Sequence, residues 1–138
     1  MSDRGTSEVR FINPPELESP PGYSHVVEVR ASRLIFLAGQ AALDADGKLV
    51  GGTDLEVQAE QAFKNISVAL ASVGCTVANL VKLTVFIRDI SKLADYRRAR
   101  DRFLKSVEPH AAPAITLVEV SRLFTEGLLI EIEGIAAT

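Results

Sequence analysis

The chain has 138 residues, of which 47% are hydrophobic and 24% charged, with a formal net charge of −3. That length suits one domain with a sizeable core, and the slight acidity gives no general attraction to nucleic acid or to an anionic membrane. The single cysteine, Cys75, excludes an internal disulfide framework and points to a reducing cytoplasm, and no apolar run approaches the ~20 residues that a membrane span needs.

Residues 1–21 hold four of the six prolines and lack the apolar core of a signal peptide. They read as an extended arm with a short strand at Val9–Ile12. From Gly22 onward the pattern is that of one domain, residues 22–138. Ser24–Ala31 alternates and predicts a strand. Arg33–Ala41 is a continuous apolar run, hence a buried strand, expected to pair with its predecessor through a tight turn near Ala31–Arg33. Asp44–Gly52 is a turn-rich loop, since Asp-Gly and Gly-Gly supply the backbone angles that tight turns require.

Thr53 is expected to cap a helix, with Glu56 three residues later closing a capping box. Leu55, Ala59, Ala62, Ile66, Leu70 and Val73 then recur at spacings of three and four and define one apolar face. Gly74 suits the left-handed position that ends a helix. Leu80–Ile87 is rich in β-branched and aromatic residues and predicts a strand. Ser91 is expected to cap a second helix, with Leu93, Tyr96, Ala99 or Arg100, Phe103 and Val107 on its inner side. Glu108–Pro113 interrupts it, and Pro113–Ala136 supplies two final strands. In the last one Glu131 and Glu133 share a face while Ile130 and Ile132 take the other. Carboxylates on so apolar a strand call for cover. The order β-β-β-α-β-α-β-β argues for an α+β domain, a mixed sheet with both helices on one face. The other face is then bare within one chain, and oligomerisation is the simplest way to bury it.

Four segments carry a resemblance. Gly22-Tyr23-Ser24-His25 looks like a Pro-Tyr-Ser-Gln segment, and Leu34–Gln40 is similar to a strand ending in Ser-Gly-Gln. Val81–Ile87 and Ile130–Ala136 match a central and a terminal strand. In this order they resemble the RidA/YjgF family, small proteins whose best-known members hydrolyse reactive enamines and imines. The resemblance implies a chorismate-mutase-like fold and a homotrimer with three clefts between adjacent subunits. It also implies that Glu131 orients and deprotonates the hydrolytic water, a role that suits a partly buried carboxylate, set against that of an interface residue satisfied by backbone amides or by a neighbouring subunit's arginines. Tyr23, Gly39 and the backbone around Ile115, Thr116 and Leu117 would hold the substrate.

One departure weighs most. The deaminases have Pro-Ala-Arg-Ser where this chain has Pro113-Ala114-Ile115-Thr116, and their arginine grips the substrate carboxylate through two parallel hydrogen bonds. Ile115 offers neither charge nor donor, so the expected substrate is not a simple 2-imino acid but an uncharged or differently charged imine, enamine or carbonyl compound. Ala38 replaces the family serine, Leu117 a small or polar residue, and His25 a glutamine. His25 is a candidate acid/base near neutral pH, set against a purely structural role. Glu133 reads as an interface residue and Ser24 as a strand-entry cap.

Two further readings share this architecture or family. One is a ligand-binding or regulatory trimer without catalysis, and the other a ribonuclease or translation inhibitor. Arg97, Arg98, Arg100 and Arg102 would serve the latter, but interleaved Asp95 and Asp101 make them a solvated or acid-paired helix face, and binding to nucleic acid is not expected. Cys75 has no metal-ligand spacing and reads as a small buried residue. No metal and no cofactor is expected, and the partners are other copies of the chain and a small molecule.

Overall fold

The computed structural model describes residues 8–138; the first seven residues of the sequence-predicted arm lie outside the described residues. Six strands and two helices follow in the expected order: β1 Glu8–Ile12, β2 Val26–Arg30, β3 Leu34–Ala41, α1 Leu55–Ala71, β4 Leu80–Ile87, α2 Leu93–Leu104, β5 Ala114–Glu119 and β6 Ile130–Ala137. Four strands form a mixed sheet in the order β3-β6-β4-β5, with β4 and β5 parallel and the other pairs antiparallel.

The expected hairpin between the second and third strands does not form. β2 pairs with β1, and β3 pairs with β6. The cause is at the turn, where the amides of Ser32 and Arg33 both donate to the Thr138 carbonyl, at 2.8 and 3.0 Å. The C-terminal end of β6 thus takes the donors that a β2–β3 turn would have used, and β3 is laid along β6. The β1–β2 ribbon meets the rest of the chain at Ser24, which bridges Ala114 in parallel and donates its amide to Pro113.

α1 buries Leu55, Ala59, Ala62, Ile66 and Leu70 as the spacing requires, together with Phe63 and Gln58. Its cap is Asp54 rather than Thr53: the Asp54 carboxylate accepts from the Val57 amide at 3.2 Å, and this acidic side chain one residue later starts the helix. Gly74, at φ +75°, closes the other end, with Gly74 N bonded to the Ala71 carbonyl and Cys75 N to that of Leu70. Val73 lies past the last helical turn and is exposed. Gln58 is fully buried and fully partnered. Its Nε2 donates to the carbonyls of Gly52 and Gly127, at 2.7 and 2.9 Å, and its Oε1 accepts from the Leu129 amide at 2.9 Å.

Ser91 does not cap α2 directly. Asp89 accepts from the Ser91 amide and hydroxyl and holds a short 3-10 turn, after which α2 starts at Leu93. Tyr96, Ala99, Arg100 and Phe103 line the inner side of α2 with Leu104. The core lies between the helices and the sheet, where Phe63 stacks on Tyr96 and Phe103 while Leu83, Val85, Ile87, Ile130 and Ile132 rise from the strands. Three of the four arginines of α2 are matched by carboxylates. Arg98 bonds Glu56 and Asp95, Arg102 bonds Glu56 and Glu60, and Arg100 bonds Asp101. Among the described residues no helix is long and apolar enough to cross a membrane.

Candidate functional site

Alternation along β6 turns Glu131 and Glu133 onto the sheet face away from the helices, as the sequence predicts. That face is open. Phe36 is 71% and Leu34 59% exposed, and Val118 also stands in solvent. β3 carries a bulge there, because Leu37 pairs with Gly134 and Gln40 with Ile132, leaving Ala38 and Gly39 opposite Glu133 alone. The Glu131 carboxylate lies over Gly39, so near that a Cβ on Gly39 would overlap it. Glycine here is a requirement of close approach. Burial pushes the Glu131 carboxyl above its ordinary pKa, and the neighbouring Glu133 charge pushes the same way.

Thr116 is on the open face too, level with Thr84 of β4, which in turn faces Glu133. It accepts a 2.8 Å hydrogen bond from Nζ of Lys82. Burial lowers the Lys82 pKa, against the opposing pull of Glu133. Lys82 was not among the sequence candidates, although strand alternation from Thr84 would have placed it on this face.

Ile115 and Leu117 point the other way and pack against the helix-side core. Tyr23 and His25 sit together, ring edge to ring face with centroids 5.6 Å apart. His25 is held at two points by the segment before it. Its amide donates to Asn13 Oδ1 at 2.8 Å, and its Nε2 lies 2.6 Å from the Glu18 carbonyl. A carbonyl only accepts, so Nε2 carries a proton and any acid/base exchange falls to Nδ1. Ser24 is buried, and among the described residues neither its hydroxyl nor that of Tyr96, whose pKa burial raises to about 12, has a hydrogen-bond partner.

The candidates therefore form two groups. Glu131 and Gly39 meet at the β3–β6 seam on the open face. Tyr23, His25 and Ile115 gather near the β5 edge, where Ser24 bridges Ala114. β4 separates β6 from β5, and Ile115 and Glu131 lie on opposite sides of the sheet, so one chain does not bring the two groups together. Beside Gly39 a groove of about 730 Å³ runs between the end of β3, α1 and Phe124. A smaller pocket of about 180 Å³ lies between Tyr23 and the end of α2, with Lys105 and His110 in its wall. Neither Lys105 nor His110 was a sequence candidate as a ligand contact; only the packing of the α2 end against Gly22–Tyr23 brings them to it. Among the described residues no cluster of His, Cys, Asp or Glu is arranged to hold a metal ion.

Residues 15–138 match the family model described as Endoribonuclease L-PSP. A RutC family protein of Synechocystis is 32% identical, over 93% of this chain and 95% of its own. Among solved structures, a Rid-family protein of unknown function from Yersinia pestis superposes with a TM-score of 0.81 at 34% identity, covering 94% of this chain and 98% of that one. Escherichia coli TdcF, solved with bound serine, gives 0.71 at 25% identity, covering 87% and 91%. With a family model matched over residues 15–138 and relatives above 30% identity across nearly the whole chain, the chain belongs to the RidA/YjgF family.

Proposed function

We propose that this protein hydrolyses a small imine or enamine in a cleft between adjacent copies, in a homotrimer. The observation that carries this reading is the Glu131 carboxylate seated over Gly39 in the β3 bulge. A carboxyl whose proton affinity is raised by burial is suited to take a proton from water at neutral pH. Water adds to the C=N carbon, its proton passes through Glu131 to the nitrogen, and the tetrahedral adduct collapses to a carbonyl compound and ammonia or an amine. The separation of Glu131 from Tyr23 and Ile115 within one chain supports a site completed by a second copy. The serine bound to TdcF supports a ligand of amino-acid size.

Ile115 sets the substrate apart. The position where family deaminases carry an arginine is here an apolar side chain turned toward the core, and a carboxylate directly next to the C=N carbon finds no anchor there. The same observation favours a second reading, a trimer that binds a ligand without turning it over. The ribonuclease reading has little support, since Arg98, Arg100 and Arg102 are already engaged by carboxylates.

The test is hydrolysis of 2-iminopropionate generated in situ by wild type and by Ile115→Arg. The expected result is an inactive wild type and an active variant, since only the carboxylate anchor is missing. Restoring an oriented charge-assisted contact is worth about 2–5 kcal/mol, or at least about thirtyfold in rate. Full wild-type activity would overturn the argument from Ile115, and two inactive proteins would move the assignment to the binding trimer.

A further inference from the structure

The pocket between Tyr23 and the end of α2 is walled by Tyr23, Asp101, Leu104, Lys105, His110 and Ala112. Its charges do not cancel. Asp101 Oδ1 already accepts from Arg100 Nε and Nη2, at 3.0 and 2.9 Å, so that carboxylate is matched from outside the pocket. Among the described residues Lys105 takes part in no ion pair. Nε2 of His110 is 3.6 Å from Glu108 Oε2, and both side chains are more than half exposed. What remains is an unmatched ammonium and an imidazole beside a phenol ring, Leu104 and Ala112. That combination suits the acid group and short carbon chain of a small organic acid. The volume, about 180 Å³, equals the liquid share of roughly six waters, which fits a carboxylate and a few carbons.

The pocket is also displaced from the position that Ile115 vacates. Ile115 is three residues along the chain from Ala112, about 10 Å if extended. Building on the imine-hydrolysis reading, we propose that this pocket is the carboxylate subsite of the cleft, with the Lys105 ammonium and the His110 imidazole as its polar contacts. The substrate class that follows is a linear acid whose C=N group lies several bonds from the carboxylate, in place of a 2-imino acid where the two are adjacent.

The test uses the full chain and reads binding without turnover, so its outcome is separate from that of the hydrolysis assay. The protein has two histidines, which makes imidazole NMR a direct reporter. Glutarate is expected to shift the His110 signals while His25, held by Glu18, moves little; the uncharged diamide glutaramide is expected to shift neither. Lys105→Met, an exposed position, is expected to weaken glutarate at least about fivefold. A silent His110, an equal response to glutaramide, a tighter response to inorganic phosphate, or wild-type affinity in a folded Lys105→Met would each overturn the assignment.

Discussion

Glu131 keeps its proton more tightly in the folded chain than in the unfolded one, because burial and Glu133 both disfavour its charge. A carboxyl raised in this way favours the fold below its ordinary value of 4.5, and that contribution is lost as pH rises through the higher folded value. Near neutral pH the ionised group works against folding. Glu131→Gln is therefore expected to melt at a higher temperature than wild type near pH 7, with the advantage shrinking as pH falls toward about 4. Melting curves across that range check it, and a difference independent of pH would count against a strained carboxylate. This residue was legible in the sequence because period-two alternation names its face without knowledge of its neighbours. Lys105 and His110 were not, since nothing in their spacing ties them to Tyr23 and only the folded chain makes them neighbours.

At the scale of elements, local chemistry decided what was readable. The apolar stripe of α1 and the glycine that closes it follow from helical geometry alone, and both appear as expected. The start of α1 was read one residue early, since Thr53 and Asp54 are both good caps and only the bond to Val57 separates them. Asp54→Ala is expected to cost about 1 kcal/mol and Thr53→Ala less than about 0.5 kcal/mol, measured by urea unfolding. Equal losses would mean that the two caps share the helix. Strand partnership was the least readable feature. The β2–β3 turn is diverted by Thr138, a contact 106 residues along the chain from Ser32, and no local pattern announces so distant an acceptor.

For the whole molecule the open face sets the expectation. Phe36, Leu34 and Val118 are left to water beside Glu131 and Glu133, an arrangement that favours cover by another copy of the chain. Sedimentation of wild type is expected to give three times the chain mass. Phe36→Lys is expected to shift the population toward single chains, because an ammonium buried without a partner opposes assembly. A single-chain wild type would remove the intersubunit cleft and with it the proposed chemistry.

Gln58 sits behind this sheet, on the side away from the open face, yet its amide oxygen grips the last backbone N–H before β6 begins. Glu131 is two residues further on. The aim of the carboxylate is thus set partly from the rear, by one neutral side chain that also clasps the loops at Gly52 and Gly127. Parting those loops on the helix side would loosen this anchor and displace the carboxylate, so the aim of Glu131 can be altered without touching the open face.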